Sequence, residues 1–176
     1  SQGELGYAFW KALAGRGILV HRTIIWAKPG FVMTRSGMYH WAHETASYGW
    51  IQGNPPPWYG EKNQTSVWHV GRDSEASVHP TQKPVKLFEI PMLNHTRPGE
   101  VCYEPFSGSG SQIIAGERLG RAVRAMELSP RYVDVACQRW ETLTGKKAEL
   151  VRAKPAKATS RATGGTRRST RPALAT

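Results

Sequence analysis

The seven residues Glu104-Pro105-Phe106-Ser107-Gly108-Ser109-Gly110 constrain the fold more than any other stretch of the chain. They follow a short β-prone run, Val101-Cys102-Tyr103, and precede a segment in which Ile113, Ile114 and Leu119 fall on one helical face before Gly120 stops it. Glycines between a strand and a helix make a β-loop-α unit, because they allow a sharp turn and leave helix N–H groups facing whatever rests on the loop. A second unit follows. Residues 121–127 alternate as a strand, Ser129 stands where it can cap a helix beginning at Pro130, and Val133, Ala136, Cys137 and Trp140 mark that helix's apolar face before Gly145. Strand, helix, strand, helix predicts an α/β chain with a doubly wound, mostly parallel sheet.

Upstream, Leu5, Ala8, Phe9, Ala12 and Leu13 form a helical pattern that Gly15 and Gly17 end. Because the chain starts with Ser1 and enters this pattern at once, it reads as joined in mid-domain. Residues 21–28 predict a buried strand closed by Pro29-Gly30, and residues 41–50 a second strand. Residues 51–78 predict a long functional loop in which Trp58, Tyr59 and Trp68 are embedded. Pro84 opens a helix carrying Val85, Leu87, Phe88, Met92 and Leu93, with Pro91 as a kink, that stops before Arg97-Pro98-Gly99.

The formal charge of +11 suggests nucleic acid, but seven of those charges lie in the acid-free run from Arg152 onward, which leaves +4 for the rest. That run is rich in Ala, Thr, Ser, Gly and Pro, so it cannot bury enough surface to offset its ordering entropy. The expected organisation is one domain, residues 1–150, and a disordered basic tail, residues 151–176, that binds phosphates without sequence preference or is simply solvated. Two cysteines, no signal-like start and no apolar run of spanning length predict a cytoplasmic protein with no membrane role.

The loop's chemistry narrows the ligand. Glu127 ends the second strand about twenty residues beyond the glycines, where a carboxylate can take both hydroxyls of a ribose. A dinucleotide fingerprint requires a third glycine in register, yet Ser111, Gln112 and Ile113 follow Gly110; a P-loop requires Gly-Lys-Ser/Thr, also absent. The form F-x-G-x-G instead lets an aromatic ring and bare backbone line a methionine chain. A purely structural tight turn remains the bland alternative.

Further matching residues appear in order along the chain: Ile24-Ile25-Trp26-Ala27-Lys28, Tyr39-His40-Trp41 with His43-Glu44, Tyr48-Gly49-Trp50, Gln64-Thr65-Ser66-Val67-Trp68, His79-Pro80-Thr81-Gln82-Lys83-Pro84, the glycine loop, and Met126-Glu127-Leu128-Ser129-Pro130 with Tyr132. In this combination the chain, over residues 5–147, resembles the DNA methyltransferases that modify exocyclic amino groups, in particular the phage- and plasmid-borne adenine methylases. The resemblance implies a Rossmann-like methyltransferase fold, S-adenosyl-L-methionine as cofactor, and double-stranded DNA with a flipped target base as partner. It implies that Phe106, Gly108 and Gly110 surround the methionine part, Glu127 binds the ribose, and Thr81 and Lys83 lie against the carboxylate. Glu104 stands where the family usually has Asp, which implies a weaker fit. Arg35, Trp58, Tyr59 and Lys62 are the DNA-contact candidates.

One family feature is missing. An Asp/Asn/Ser-Pro-Pro-aromatic tetrapeptide that holds the target amino group should precede the Ile24 strand, and nothing there matches it. Asn54 in Asn54-Pro55-Pro56-Pro57-Trp58 is a weak substitute with one proline too many, placed after the strands that should follow the tetrapeptide. The resemblance therefore implies an incomplete sheet, with outer strands present and the two central ones absent, as in the C-terminal portion of a longer protein. Methylation at cytosine carbon 5 would need a nucleophilic cysteine, but Cys102 sits in a strand and Cys137 on an apolar helix face. His40, His43 and Glu44 make no H-E-x-x-H helix, so no metal is expected. Two other readings stay open: a non-catalytic DNA-binding remnant, and a dinucleotide-dependent oxidoreductase resting only on the β-loop-α pattern and Glu127.

Overall fold

The described strands form two sheets rather than one. The computed structural model describes residues 2–33, 35, 38–71 and 82–151, so Thr81 and the tail from residue 152 lie outside the described residues. In chain order the elements are α1 (Gln2–Ala14), β1 (Ile18–Val32), β2 (Trp41–Ile51), β3 (Val67–His69), α2 (Lys86–His95), β4 (Val101–Glu104), α3 (Ser111–Leu119), β5 (Ala122–Ala125) and α4 (Pro130–Thr144).

Strands β4 and β5 are parallel, in register from Val101–Ala122 to Glu104–Ala125, and α3 makes the crossover between them. This is the predicted β-loop-α-β unit. A helix layer covers one face: Val85, Met92, Ile114 and Ala115 are buried together, with Phe88, Cys102, Leu119, Val123 and Trp140 packed around them. Each buried aliphatic side chain of this size contributes roughly 1.5–3 kcal/mol. On β4 the alternation is visible, since Cys102 is half-buried under the helices while Val101 and Tyr103 point to the open face.

The second sheet has the order β2-β1-β3, with β1 antiparallel to β2 and parallel to β3. Strand β1 does not stop at Pro29-Gly30 as expected but runs on to Val32. Four residues, 28–31, oppose only Ala42 between the pairs Ala27–His43 and Val32–Trp41, so a bulge takes the proline, which has no N–H to donate, out of the ladder. Nor is β1 a buried strand: of its residues only Trp26 is buried, and its indole N–H donates to the Val70 carbonyl at 2.8 Å. The stretch after β2 is not loop throughout, because β3 pairs there with β1. Three residues are too few to show periodicity, and their hydrogen-bonding partners lie some forty positions away in the chain. Ser129 makes no side-chain cap on α4; its backbone N–H is held instead by Glu127.

No described strand joins the two sheets, and neither the outer edge of β2 nor that of β4 pairs with a further strand among the described residues. Side chains and a loop connect them. Gln64 and Asn94 exchange two amide hydrogen bonds of 2.7 and 2.8 Å, the Tyr59 N–H donates to the Asn94 carbonyl at 2.7 Å, and His95 Nδ1 meets the Pro57 carbonyl at 2.7 Å. The His95 ring stacks on Tyr48 and meets Trp58 edge-on, while Arg97 lies over Tyr59. Asn94 is thus a buried polar residue with every connection leading to the loop. Asn94→Ala is expected to leave Gln64 without its partner and to lower stability by about 1–3 kcal/mol in urea denaturation; a change within ~0.5 kcal/mol would show that the loop is not anchored there.

Candidate functional site

The cleft at the carboxyl end of β4 is built by a loop whose own backbone is tightly held. The Glu104 carboxylate accepts the Phe106 N–H at 2.8 Å, the Ser107 N–H donates to the Met126 carbonyl at 3.0 Å, and Arg139 on α4 donates to the Ser109 carbonyl at 2.7 Å. Glu127 closes the arrangement: one carboxylate oxygen accepts the Gly108 N–H at 2.8 Å and the other the Ser129 N–H at 2.9 Å. The Ser129, Gly108 and Leu128 amides outweigh the effect of burial and hold its carboxyl below the usual range for glutamate.

The two loop glycines do different things. Gly108 has φ +52° and open space where a Cβ would stand, so its bare backbone faces the cleft. Gly110 has φ +79°, and a Cβ there would sit 2.7 Å from that of Ala136, so it lets α3 leave the loop against α4.

The cleft, of about 280 Å³, is lined by Gln82, Lys83, Phe88, Phe106, Ser107, Gly108, Ser109, Ser111, Glu127 and Tyr132. Of the predicted cofactor residues it brings together Lys83, Phe106, Gly108 and Glu127. Gly110 and Glu104 are not in the lining; the first is committed to packing and the second to the Phe106 amide. Sequence reasoning missed Gln82, Phe88, Ser107, Ser109, Ser111 and Tyr132 as lining residues, and Arg139 as the clamp on the loop. Arg139 was readable in principle, as it follows Ala136 by three positions and so shares the inward face of α4. Ser111 joins the α3 N-terminus to the segment before α2 by donating to the Lys83 carbonyl at 2.7 Å.

Lys83 belongs to an ionic chain that crosses between the sheets. Glu44 on β2 pairs with Lys28 of β1 at 2.6 Å through one oxygen and with Lys83 at 2.9 Å through the other. Burial pushes the Glu44 carboxyl up, but hydrogen bonds from Lys28 and Lys83 and their charges outweigh it and leave the pKa below the ordinary value. Cys102 is the opposite case, its thiol pushed up mainly by burial. No trio of His, Cys, Asp or Glu that could hold a metal occurs among the described residues.

The other candidates lie apart from the cleft. Asn54 is exposed in the turn after β2, its N–H donating to the Ile51 carbonyl at 3.0 Å. Trp58 and Tyr59 are partly exposed and packed on His95 and Arg97, Lys62 is exposed in the same loop, and Arg35 is exposed in the turn between β1 and β2.

Comparison with known proteins decides the family. The family model for DNA methylases of the N6/N4 type matches residues 7–138, well over half of the chain. The chain belongs to this DNA methylase family. It is 27% identical over 158 residues to the type II methyltransferase M.Cfr9I of Citrobacter freundii, covering 80% of this chain and 50% of that protein. It is 28% identical over 151 residues to M2.DpnII of Streptococcus pneumoniae, covering 77% and 56%. It therefore spans about half the length of these curated relatives. In structure it is similar to the M1.HpyAVI–SAM complex (TM-score 0.64, 25% identity, 73% of this chain and 66% of that one). It also shares the fold of the cytosine-N4-specific PvuII DNA methyltransferase (TM-score 0.66, 16% identity, 75% and 55%). The expected Rossmann-like fold of methyltransferase type is thereby established in a partial form, with five strands in two sheets among the described residues.

Two outcomes follow from this geometry. Gly110→Ala is expected to cost about 2–4 kcal/mol, from left-handed strain and overpacking on Ala136, whereas Gly108→Ala meets open space and is expected to cost only about 1–2 kcal/mol; thermal melts compare them. The Glu44 pairs are fully present above the ordinary glutamate pKa and are lost as pH falls through its depressed value. Glu44→Gln should therefore reduce stability by up to about 1 kcal/mol at about pH 7, and by less at a pH below the ordinary glutamate range. Equal differences at both pH values would show that the carboxylate charge is not what links the sheets.

Proposed function

We propose that this chain forms the S-adenosyl-L-methionine-binding part of a DNA methyltransferase acting on an exocyclic amino group, adenine N6 in preference to cytosine N4. One observation carries the reading: the cleft over the glycine loop brings together Lys83, Phe106, Gly108 and Glu127 from three separate segments of the chain.

The donor set fits the cofactor's parts. Lys83 offers a charge-assisted bond to a carboxylate, Gly108 and the Phe106 ring border the space for an aliphatic chain, and Glu127 retains lone pairs for ribose hydroxyls while held by two backbone amides. Because those amides depress its pKa, Glu127 stays ionised at neutral and mildly acidic pH. A dinucleotide is less suited, since the α3 N-terminus lacks the third glycine that admits a pyrophosphate.

S-adenosyl-L-methionine supplies an electrophilic methyl group on a sulfonium. The chain's own contribution is to hold the carboxylate and ribose ends at fixed points, so that the methyl is presented in one direction and positioning supplies much of the catalysis. An exocyclic amine is a poor nucleophile whose lone pair is delocalised, and in duplex DNA the base must be extruded to reach it. The groups that would accept the amine's two N–H protons have no counterpart before Ile24. Among the described residues no strand joins β2 to β4. No described helix is long and apolar enough to cross a membrane.

Calorimetry tests the reading. S-adenosylhomocysteine is expected to bind the full chain and NAD not to, and Glu127→Ala is expected to weaken the former roughly tenfold to a hundredfold. Affinity should be flat from about pH 7 to about pH 5 and fall only below the ordinary glutamate range, as the depressed Glu127 pKa is reached. Salt-dependent DNA binding by a folded chain with no S-adenosylhomocysteine affinity would overturn the cofactor reading in favour of a non-catalytic DNA-binding remnant. Nucleoside mass spectrometry of DNA incubated with the chain and S-adenosyl-L-methionine would separate N6-methyladenine from N4-methylcytosine.

A further inference from the structure

Lys83 borders the cofactor cleft with its ammonium already held from behind. That ammonium lies 2.9 Å from one oxygen of Glu44, whose other oxygen meets Lys28 at 2.6 Å, so a residue of β2 stands between a lysine of β1 and a lysine of the cleft. Glu44 does not itself line the cleft, and anything it does for a ligand there it does through Lys83.

The two lysines differ in freedom. The Lys28 side chain is only 18% exposed, and its ammonium lies 5.2 Å from the centroid of the Trp26 ring, the buried indole of β1 that donates to the Val70 carbonyl. Lys83 is 39% exposed, so without a partner its flexible stem is free to turn into solvent. The Ser111 hydroxyl on the Lys83 carbonyl fixes where that stem starts, and Glu44 fixes where it ends. A lysine ammonium has three hydrogens to donate; one is used on Glu44, which leaves two for a ligand in the cleft.

Charge points the same way. Two ammonium groups share the Glu44 carboxylate, and without that negative charge they repel each other at short range. Lys28 is the one held in place, so Lys83 is the one that moves. The methionine end of the cofactor carries an ammonium beside its carboxylate and has no net charge of its own. It is held by a donor in the right place more than by the field of a surplus cation, and a donor fixed in advance loses less side-chain entropy on binding.

We infer that Glu44 is a positioning residue for the cofactor, aiming Lys83 at the carboxylate of its methionine end with Lys28 and Trp26 as the support behind. The inference rests on the cofactor reading above. It adds that the β2-β1-β3 sheet, which contributes no residue to the cleft lining, takes part in binding through one ion pair.

The test is calorimetry on the full chain with two ligands, S-adenosylhomocysteine and 5′-methylthioadenosine, a thioether nucleoside that lacks the amino-acid end. Wild type is expected to bind the first at least about tenfold more tightly. Glu44→Gln keeps the side chain's shape at a half-exposed site, so it should fold, which circular dichroism checks. It is expected to weaken S-adenosylhomocysteine about three- to tenfold and to leave 5′-methylthioadenosine within about twofold. Lys83→Met should remove most of the preference between the ligands, and adding Glu44→Gln to it should change neither affinity by more than about twofold. Equal losses for both ligands in Glu44→Gln would mean a general loosening of the cleft. Tighter S-adenosylhomocysteine binding would mean that Glu44 competes for Lys83, and additive losses in the double variant that it acts without Lys83. Each of these results overturns the proposal. A wild type that binds both ligands alike overturns it too while the cofactor reading stands, whereas a folded wild type that binds neither marks the failure of that reading instead.

Discussion

Glu127 is the group on which the organisation of the site depends. Its two carboxylate oxygens accept backbone amides from Gly108 in the loop after β4 and from Ser129 at the start of α4. One side chain thus joins two consecutive β-loop-α units at the end of a two-stranded parallel sheet. A carboxylate in this role stays ionised, because the amide dipoles favour the charged form over the neutral one. The loop is consequently rigid where a ligand must be met by bare backbone, and Arg139 secures its far side through the Ser109 carbonyl.

The second constraint acts at longer range. Two sheets that share no hydrogen-bonded strand among the described residues are kept together by polar side chains and one loop: the Gln64–Asn94 amide pair, the His95 cluster and the Lys28–Glu44–Lys83 chain. Such contacts are individually weak at a partly exposed surface, and together they define an orientation more than a large stabilisation. They also give the aromatic loop a structural purpose. Trp58 and Tyr59 close over the end of α2, so an aromatic-rich loop need not owe its composition to a ligand alone.

Membership of the DNA methylase family and the partial methyltransferase fold account for the parts of the molecule that are complete: the glycine loop, the acidic residue after β5 and the basic residue before α2. Among the described residues β4 leaves one edge and one face open, and Val101 and Tyr103 are exposed on it. Such an edge invites pairing with further strands.

Much of this was legible in the residues themselves, because local rules govern it. Gly120 and Gly145 end their helices in the left-handed conformation, Pro130 starts one, and the spacing of Ile113, Ile114, Ala136 and Trp140 sets the inward faces, although Val133, expected on the same face of α4, is exposed. Elements held only by distant partners were not legible. Strand β3 is three residues long and exists because β1 lies beside it; the bulge that carries β1 past Pro29 depends on β2. The division of labour between Gly108 and Gly110 was hidden too, since it turns on where Ala136 of another helix comes to rest. The sequence by itself determined which segments could be strands, helices and tight turns, and which turn was fit for a nucleoside-like ligand. Tertiary structure alone decided that Glu104 binds its own loop, that Lys83 is paired with Glu44, and that the Ser107 hydroxyl is buried. The physical reason is range: backbone preference acts over a few residues, whereas an ion pair or a buried hydroxyl is defined by whatever the fold brings within about 3 Å of it.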